Sequence, residues 1–102
     1  MNLKDCKVLV MLNMHTGFAP TNKDEEILRD ILEIACPSRR YEWEYADEFI
    51  QSLSEKGFDF KSCVFVPNFY IHVVGGYGVC FTATTISGFF KGCVENNIQV
   101  DI

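Results

Sequence analysis

A chain of 102 residues, of which 48% are hydrophobic and 23% charged, can bury one core, and this composition excludes intrinsic disorder. Its net charge is -5 and its basic residues cluster only at Arg39-Arg40, so we expect no nucleic-acid partner. No run approaches the roughly 20 apolar residues of a membrane span, and the first residues do not form a signal peptide. We therefore expect a cytoplasmic protein with no membrane partner.

The first part of the chain predicts a strand followed by a helix. Residues 7–12 form a short apolar run, which is typical of a strand buried on both faces. After a loop, residues 21–24 supply a capping box for a helix whose apolar residues recur at helical spacing up to Ala35. Pro37 ends this helix, which has the clearest helical pattern in the chain.

The central region alternates strands with one helix. Residues 41–45 alternate aromatic and acidic side chains, as expected of an edge strand with one apolar face. Residues 47–56 place apolar side chains on one side and end at Gly57, which predicts a short helix. Residues 62–66 and 70–74 are both strand-like, and the residues between them allow either a hairpin or one bulged strand.

The last part of the chain predicts a helix and a final strand. Residues 81–95 carry apolar side chains at helical spacing despite β-branched threonines and two glycines, and residues 98–102 close the chain as a strand. Strands that alternate with helices along the whole chain predict a single α/β domain over residues 1–102. We expect a small three-layer, doubly wound and mostly parallel sheet with helices on both faces.

The five cysteines indicate neither a disulfide framework nor a metal site. Their number is odd, and the sequence has no Cys-x-x-Cys pair and no histidine at a metal-finger spacing, so we expect no metal and no cofactor. Four of them lie in apolar surroundings and are interpreted as small buried hydrophobic residues: Cys6, Cys36, Cys63 and Cys93. Cys80 differs because it follows a glycine-rich turn.

The turn before Cys80 is formed by Gly75, Gly76, Tyr77 and Gly78, and we expect a helix to begin at Cys80 itself. Unpaired backbone N–H groups and the helix dipole at such a position favour a thiolate. The glycines allow two interpretations. They either expose backbone N–H groups to an anionic ligand or permit a tight strand-to-helix turn.

Residues 13–18, after the first strand, form the second loop of the predicted site. Ligands of a parallel sheet bind beyond the carboxyl ends of its strands, so we expect this loop to meet residues 75–80 there. The candidate ligand-binding residues at this edge are Gly75, Gly76, Tyr77, Gly78 and Phe18.

These two loops carry motifs of a known family. Residues 8–20 read Val-Leu-Val-Met-Leu-Asn-Met-His-Thr-Gly-Phe-Ala-Pro, which is similar to an apolar strand ending in Asp-x-Gln-Asn-Asp-Phe. Residues 72–92 are similar to a Gly-x-x-Thr-Asp-x-Cys-Val-x-x-Thr-Ala segment, with Cys80 at the nucleophile, Thr84 at the threonine and Gly92 at a later glycine. Together they resemble the isochorismatase-like cysteine hydrolases, the nicotinamidase and isochorismatase group, and imply a truncated form of that fold.

The resemblance implies a thiolate that attacks a carbonyl, an aspartate base, a supporting lysine and an oxyanion site made of backbone amides. In this sequence Asn13 stands at the aspartate position and no lysine carries a recognisable motif, which implies a degenerate site. His15 replaces a glutamine of the family and is either a substitute base for Cys80 or a solvent-facing loop residue. His72 is interpreted as a strand residue satisfied by a neighbouring backbone group.

Three functions remain open. The one we favour is a non-catalytic or degenerate relative of the hydrolases that binds a small anionic or amide ligand or a protein partner. The second is an active thiol hydrolase of amides or vinyl ethers that uses Cys80 with His15 as base, and the third is a small structural or regulatory α/β protein. A shortened fold would also expose aromatic side chains such as Trp43, Tyr70 and Phe89, so we expect a homo-oligomer.

Overall fold

The computed structural model of the protein describes residues 1–13, 19–36, 39–61, 66 and 68–100. After a 3-10 turn at Leu3–Asp5, strands alternate with α-helices in these residues up to the third strand, which is followed directly by the fourth strand and then by the last helix. The strands are β1 (Lys7–Leu12), β2 (Arg40–Trp43), β3 (Phe69–Val74) and β4 (Cys80–Ala83), and the helices are α1 (Lys23–Ala35), α2 (Ala46–Glu55) and α3 (Ile86–Glu95).

The strands form one antiparallel sheet in the order β2-β1-β3-β4. The predicted mostly parallel, doubly wound sheet is therefore wrong. Strand direction depends on pairing between distant residues, which no local pattern determines, and β1 pairs antiparallel with both of its neighbours, β2 and β3. β2 then enters beside the end of β1, where Arg40 pairs with Met11.

One face of the sheet is covered by all three helices, so the prediction of helices on both faces is also wrong. Alternate side chains of the strands point into a single core, where they meet the apolar stripes of the amphipathic helices. Fully buried members of this core include Val8, Val10, Leu28, Leu32, Phe49, Leu53, Ile71, Val73 and Phe89. The domain is thus a two-layer sandwich of one sheet and one layer of helices.

The opposite face of the sheet, called here the open face, carries exposed or half-buried side chains. They are Lys7, Leu9, Met11, Arg40, Glu42, Tyr70, His72, Val74, Cys80 and Thr82. The prediction that β1 is buried on both faces is wrong. It followed from an unbroken apolar sequence, but Leu9 and Met11 in that sequence lie half-buried on the open face. Of the aromatic residues expected on a self-association surface, Tyr70 is exposed, whereas Trp43 and Phe89 are buried.

The predicted elements of the first half are confirmed. β1 and α2 match their predicted bounds within one residue, and β2 lies at an edge of the sheet. At the start of α1 the Asn22 side chain accepts a hydrogen bond from the Glu25 N–H at 2.8 Å, so the cap is Asn22 rather than Thr21.

The helix predicted over residues 81–95 begins later than expected. Residues 80–83 form β4, and α3 starts at Ile86, where Thr85 Oγ1 accepts a hydrogen bond from the Gly88 N–H at 2.9 Å. Cys80 therefore begins a strand, and the helix dipole proposed to activate its thiol acts elsewhere.

Two predicted strands fall partly outside the described residues. Of the strand predicted over residues 98–102, the described part contributes one bridge, between Gln99 and Asn2. Of residues 62–66 only Val66 is described, and it is buried. Among the residues that the structure describes, none of the helices has both the length and the apolar character needed to cross a membrane.

A tight turn joins β3 to β4. The Val79 N–H donates to the Gly76 carbonyl at 3.2 Å, and both central residues have positive φ, 58° at Tyr77 and 79° at Gly78, as in a type I′ turn. The twist of this turn matches that of two antiparallel strands. The glycine-rich segment therefore closes a hairpin, and the strand-to-helix turn predicted from the sequence is wrong.

We expect Gly92→Ala to destabilise the protein by about 1–3 kcal/mol, because a Cβ at Gly92 would overlap the Phe81 ring where α3 packs on β4. This loss exceeds the gain in helix propensity from Gly to Ala of about 1 kcal/mol. Urea unfolding measures the effect. Val94→Ala, at a position 76% exposed on the same helix, is the control and should be close to neutral. If Gly92→Ala/Phe81→Leu is no more stable than Gly92→Ala, the overlap is not the cause.

Candidate functional site

The β3–β4 hairpin brings a histidine, a cysteine and a threonine together on the open face. In its register His72 pairs with Thr82, and Val74 pairs with Cys80. Side chains two residues apart on a strand point to the same face, so His72, Cys80 and Thr82 share the open face, with Cys80 diagonal to His72.

The three side chains form a hydrogen-bonded chain. Cys80 Sγ lies 3.3 Å from His72 Nε2, and His72 Nδ1 lies 2.9 Å from Thr82 Oγ1. Both nitrogens of the imidazole are therefore engaged, one by a potential nucleophile and one by a hydroxyl. This fixes the plane of the ring. His72 is half-buried between its neighbours, whereas Cys80 and Thr82 are exposed, so the thiol is accessible to a reagent.

The hydroxyl of Thr82 can accommodate the tautomer of His72 that proton transfer from the thiol requires. Only a neutral ring with its hydrogen on Nδ1 leaves Nε2 free to take a proton from Cys80 Sγ. Thr82 Oγ1 can accept that hydrogen across the 2.9 Å separation. The arrangement can therefore remove a proton from the thiol and hold the resulting charge pair.

The backbone N–H and C=O groups of Cys80 and Thr82 point outward from the edge of the sheet. The Gly75 N–H donates to the Val79 carbonyl at 2.8 Å, and hydrogen-bonded pairs alternate with non-hydrogen-bonded pairs along an antiparallel ladder. Cys80 and Thr82 are therefore at non-hydrogen-bonded positions, with their N–H and C=O groups directed outward from β4, the terminal strand.

Asn13, the residue at the family's aspartate position, lies at the opposite end of the sheet from Cys80. It follows the last residue of β1, and its N–H donates to the Asn68 carbonyl at 2.9 Å. Cys80 pairs with Val74, which pairs with the first residue of β1, Lys7. The antiparallel sheet thus separates Asn13 from Cys80, which a parallel sheet was expected to bring together. His15 and Phe18 lie outside the described residues.

The predicted ligand-binding residues Gly75, Gly76, Tyr77 and Gly78 form the hairpin turn. Two of them, Gly76 and Tyr77, line a surface cavity of about 580 Å³. The remaining lining residues come from both ends of the described chain and from the turn: Met1, Asp5, Val79, Asn96 and Asn97. Tyr77 is fully exposed, so its ring can contact a ligand in this cavity.

Two of the other cysteines behave as the sequence predicted. Cys6 and Cys93 are buried in the core. Burial, together with the charge of Cys6, raises the pKa of Cys93 from 9.0 to about 12, and burial together with the Asp5 carboxylate raises the pKa of Cys6. The folded protein therefore favours the protonated thiol of Cys93. The contribution of this thiol to the free energy of unfolding is present below about pH 9 and lost as the pH rises towards 12. Cys63 lies outside the described residues.

Sequence reasoning missed His72 and Thr82 as site residues. The sequence feature that could have identified them is the composition of residues 80–85, Cys-Phe-Thr-Ala-Thr-Thr. Its β-branched and aromatic residues favour a strand over the first turn of a helix. A hairpin whose loop is residues 76–78 then places Gly75 opposite Val79 and His72 opposite Thr82. Among the described residues, no three side chains of the His, Cys, Asp and Glu types lie close enough together to hold a metal ion.

We expect iodoacetamide at neutral pH to modify Cys80 in the native protein and to spare Cys6 and Cys93. The thiolate is the reacting species, and burial with a raised pKa keeps both core thiols protonated and enclosed. Peptide mapping by mass spectrometry gives the modified positions. The same treatment in concentrated urea is the control and should modify every cysteine. Modification of Cys93 before Cys80 would contradict the arrangement described here.

Comparison with known proteins adds no family. No protein-family model, curated protein or solved structure matches the chain. The resemblance to the isochorismatase-like hydrolases stays a prediction, and the antiparallel sheet places Asn13 at the opposite end from Cys80. The candidate site is therefore defined by the geometry of Cys80, His72 and Thr82.

Proposed function

We propose that this protein performs cysteine-dependent acyl transfer, with Cys80 as the nucleophile, His72 as the general base and Thr82 as a positioning residue. The observation that carries the proposal is the 3.3 Å separation of Cys80 Sγ and His72 Nε2, with His72 Nδ1 held 2.9 Å from Thr82 Oγ1. A nucleophile, a base within hydrogen-bond reach and a third group that orients the base recur on unrelated folds that catalyse acyl transfer.

The reaction has two halves. In the first, His72 Nε2 takes the proton of the Cys80 thiol, the sulfur bonds to a carbonyl carbon, and the leaving group departs with the proton from the imidazolium. In the second, water attacks the resulting thioester, gives a proton to His72 Nε2 and releases the acid, and the proton returns to the sulfur. The Cys80 N–H, which points outward beside its own sulfur, supports the proposal because it can donate to the oxyanion formed in each half.

This proposal keeps the thiol chemistry expected from the sequence but assigns the base to His72. The sequence offered His15 as the base in place of the aspartate that Asn13 replaces, whereas His72 on the neighbouring strand lies 3.3 Å from the thiol. The exposed thiol must be reduced to react, so the proposal requires a reducing compartment such as the cytoplasm.

Hydrolysis of p-nitrophenyl acetate tests the proposal. We expect a burst of p-nitrophenol stoichiometric with the protein, an acetyl group on Cys80 by mass spectrometry, and loss of both in Cys80→Ser. Removal of a general base lowers rates by about 10²–10⁴-fold, so His72→Ala should slow the burst by that order. The reaction of Cys80 with iodoacetamide at neutral pH should also slow in His72→Ala, by about tenfold.

Variants of Thr82 separate positioning from mere packing. Thr82→Val removes the hydroxyl at nearly constant volume and should slow the burst, while Thr82→Ser retains the hydroxyl and should restore it. Cys36→Ser, at another cysteine that the structure describes as half-buried, is the matched control and should leave the burst unchanged. A burst that survives in Cys80→Ser, or an iodoacetamide rate unaffected by His72→Ala, would refute the proposal.

A second candidate function is the binding of a small amide at the cavity of about 580 Å³ beside the hairpin turn. Its volume lies within the range of about 300–1,000 Å³ that is usual for small-molecule sites. Asp5 and Asn96 in the lining offer acceptor oxygens to an amide N–H, and the exposed Tyr77 ring offers an apolar surface. The Asp5 carboxylate repels anions, so of the two ligand classes expected from the sequence this cavity favours the amide.

Titration with benzamide, followed by the backbone amide signals in NMR, tests this candidate. We expect saturable shifts at Gly76, Tyr77 and Asn96, and weaker affinity in Tyr77→Ala because the aromatic contact is lost. Tyr45→Ala, at a tyrosine that is also exposed, is the control and should bind normally. Shifts spread over the whole domain, or none at these three residues, would exclude the cavity as an amide site.

A further inference from the structure

We infer that the acyl donor of the Cys80 site is an extended polypeptide segment that pairs with the outer edge of β4 as a fifth strand. This inference rests on the proposed thiol chemistry and adds the class of its substrate. The juxtaposition that carries it is an exposed thiol, 3.3 Å from His72 Nε2, on the terminal strand of the described sheet, at a residue whose own N–H points outward.

The edge of β4 presents the groups that another strand needs. The outward N–H and C=O groups of Cys80 and Thr82 are two residues apart, which matches the repeat of hydrogen-bonding positions along a neighbouring strand. Thr84 lies in the bend just after β4, and no described residue accepts a hydrogen bond from its N–H. A polypeptide backbone is the ligand whose donors and acceptors repeat at this spacing.

The two edges of the sheet differ in their protection against such pairing. The edge strand β2 carries the charged residues Arg40 and Glu42, and charged side chains are a common means of blocking an edge. β4 consists of Cys80, Phe81, Thr82 and Ala83, with neither a charge nor a proline. An added strand is therefore expected to pair with β4 rather than with β2. Because β4 carries no charge, we expect the added segment to be uncharged as well.

Pairing also places a reacting carbonyl at the thiol. A peptide carbonyl that accepts the Cys80 N–H lies beside Cys80 Sγ, and the same N–H then holds the oxyanion when the sulfur adds to that carbon. The S–C bond forms, the peptide C–N bond breaks, and the proton moves from the thiol through His72 Nε2 to the leaving nitrogen. Water then hydrolyses the thioester. The half-buried Phe81 offers an apolar contact on the helix side of the edge.

The experiment compares a peptide electrophile with the same electrophile alone. The probe is an acetylated Thr-Val-Thr-Val peptide with a C-terminal chloromethyl ketone, and chloroacetone is the reference. We expect the peptide to alkylate Cys80 about tenfold faster than chloroacetone, because two or three backbone hydrogen bonds hold it at the edge. The same peptide, N-methylated at the residues whose N–H groups face β4, should lose this advantage.

Two variants of the protein test the edge itself. Thr84→Pro removes one outward N–H without touching Cys80, His72 or Thr82, and should abolish the advantage of the peptide. Thr84→Val keeps the N–H and should retain it. The rate with chloroacetone is the measure of an intact fold and should be equal in both variants. An unchanged advantage in Thr84→Pro, or with the N-methylated peptide, would overturn the inference.

Two further outcomes distinguish a failure of the proposed thiol chemistry from a failure of the polypeptide substrate. If His72→Ala leaves the chloroacetone rate unchanged, the proposed thiol chemistry fails whatever the peptide does. If the peptide has no advantage in the wild type although His72→Ala lowers the chloroacetone rate, only the polypeptide substrate fails. Sedimentation equilibrium tests whether a second copy of the chain occupies the β4 edge instead of a substrate segment. A dimer that dissociates in Thr84→Pro but not in Thr84→Val would assign the β4 edge to a second copy of the chain and overturn the inference.

Discussion

The antiparallel pairing of β1 with β3 is the interaction on which the rest of the structure depends. These two central strands pair along their whole length, and their register sends Val10 and Ile71 into the core while Leu9 and His72 face the opposite way. Each buried aliphatic side chain contributes about 1.5–3 kcal/mol, so the core holds this register firmly. A slip of one residue would bury the imidazole of His72 and expose Val73.

The turn at Tyr77–Gly78 transmits this register to β4. Positive φ at both residues gives the hairpin the twist that antiparallel strands require. The loop of residues 76–78 leaves Gly75 opposite Val79, and Thr82 therefore lies opposite His72. The site therefore depends on a backbone conformation several residues away from its side chains. It also depends on the absence of helices from one face of the sheet, since Cys80 would be covered if the described helices were divided between the two faces.

Local signals predicted much of the fold. The apolar run of β1, the helical spacing in α1 and the aromatic-acidic alternation near β2 each reflect a period that a few neighbouring residues define. The direction of the strands was predicted wrongly, because it depends on the path of the connections and on pairing between distant residues. Apolar Leu9 and Met11 on the open face added to the error, since they imitate the pattern of a strand buried on both faces.

The sequence by itself determined that Cys80 follows a glycine-rich turn and differs from the two core cysteines, because turn chemistry and apolar surroundings are local properties. Only the tertiary structure decided which histidine meets the thiol. His72 precedes Cys80 by eight positions, and the two side chains approach within 3.3 Å because the hairpin folds one strand back on the other. The β-branched and aromatic residues of 80–85 favour a strand locally, but which of them lies opposite His72 depends on the pairing of β4 with β3.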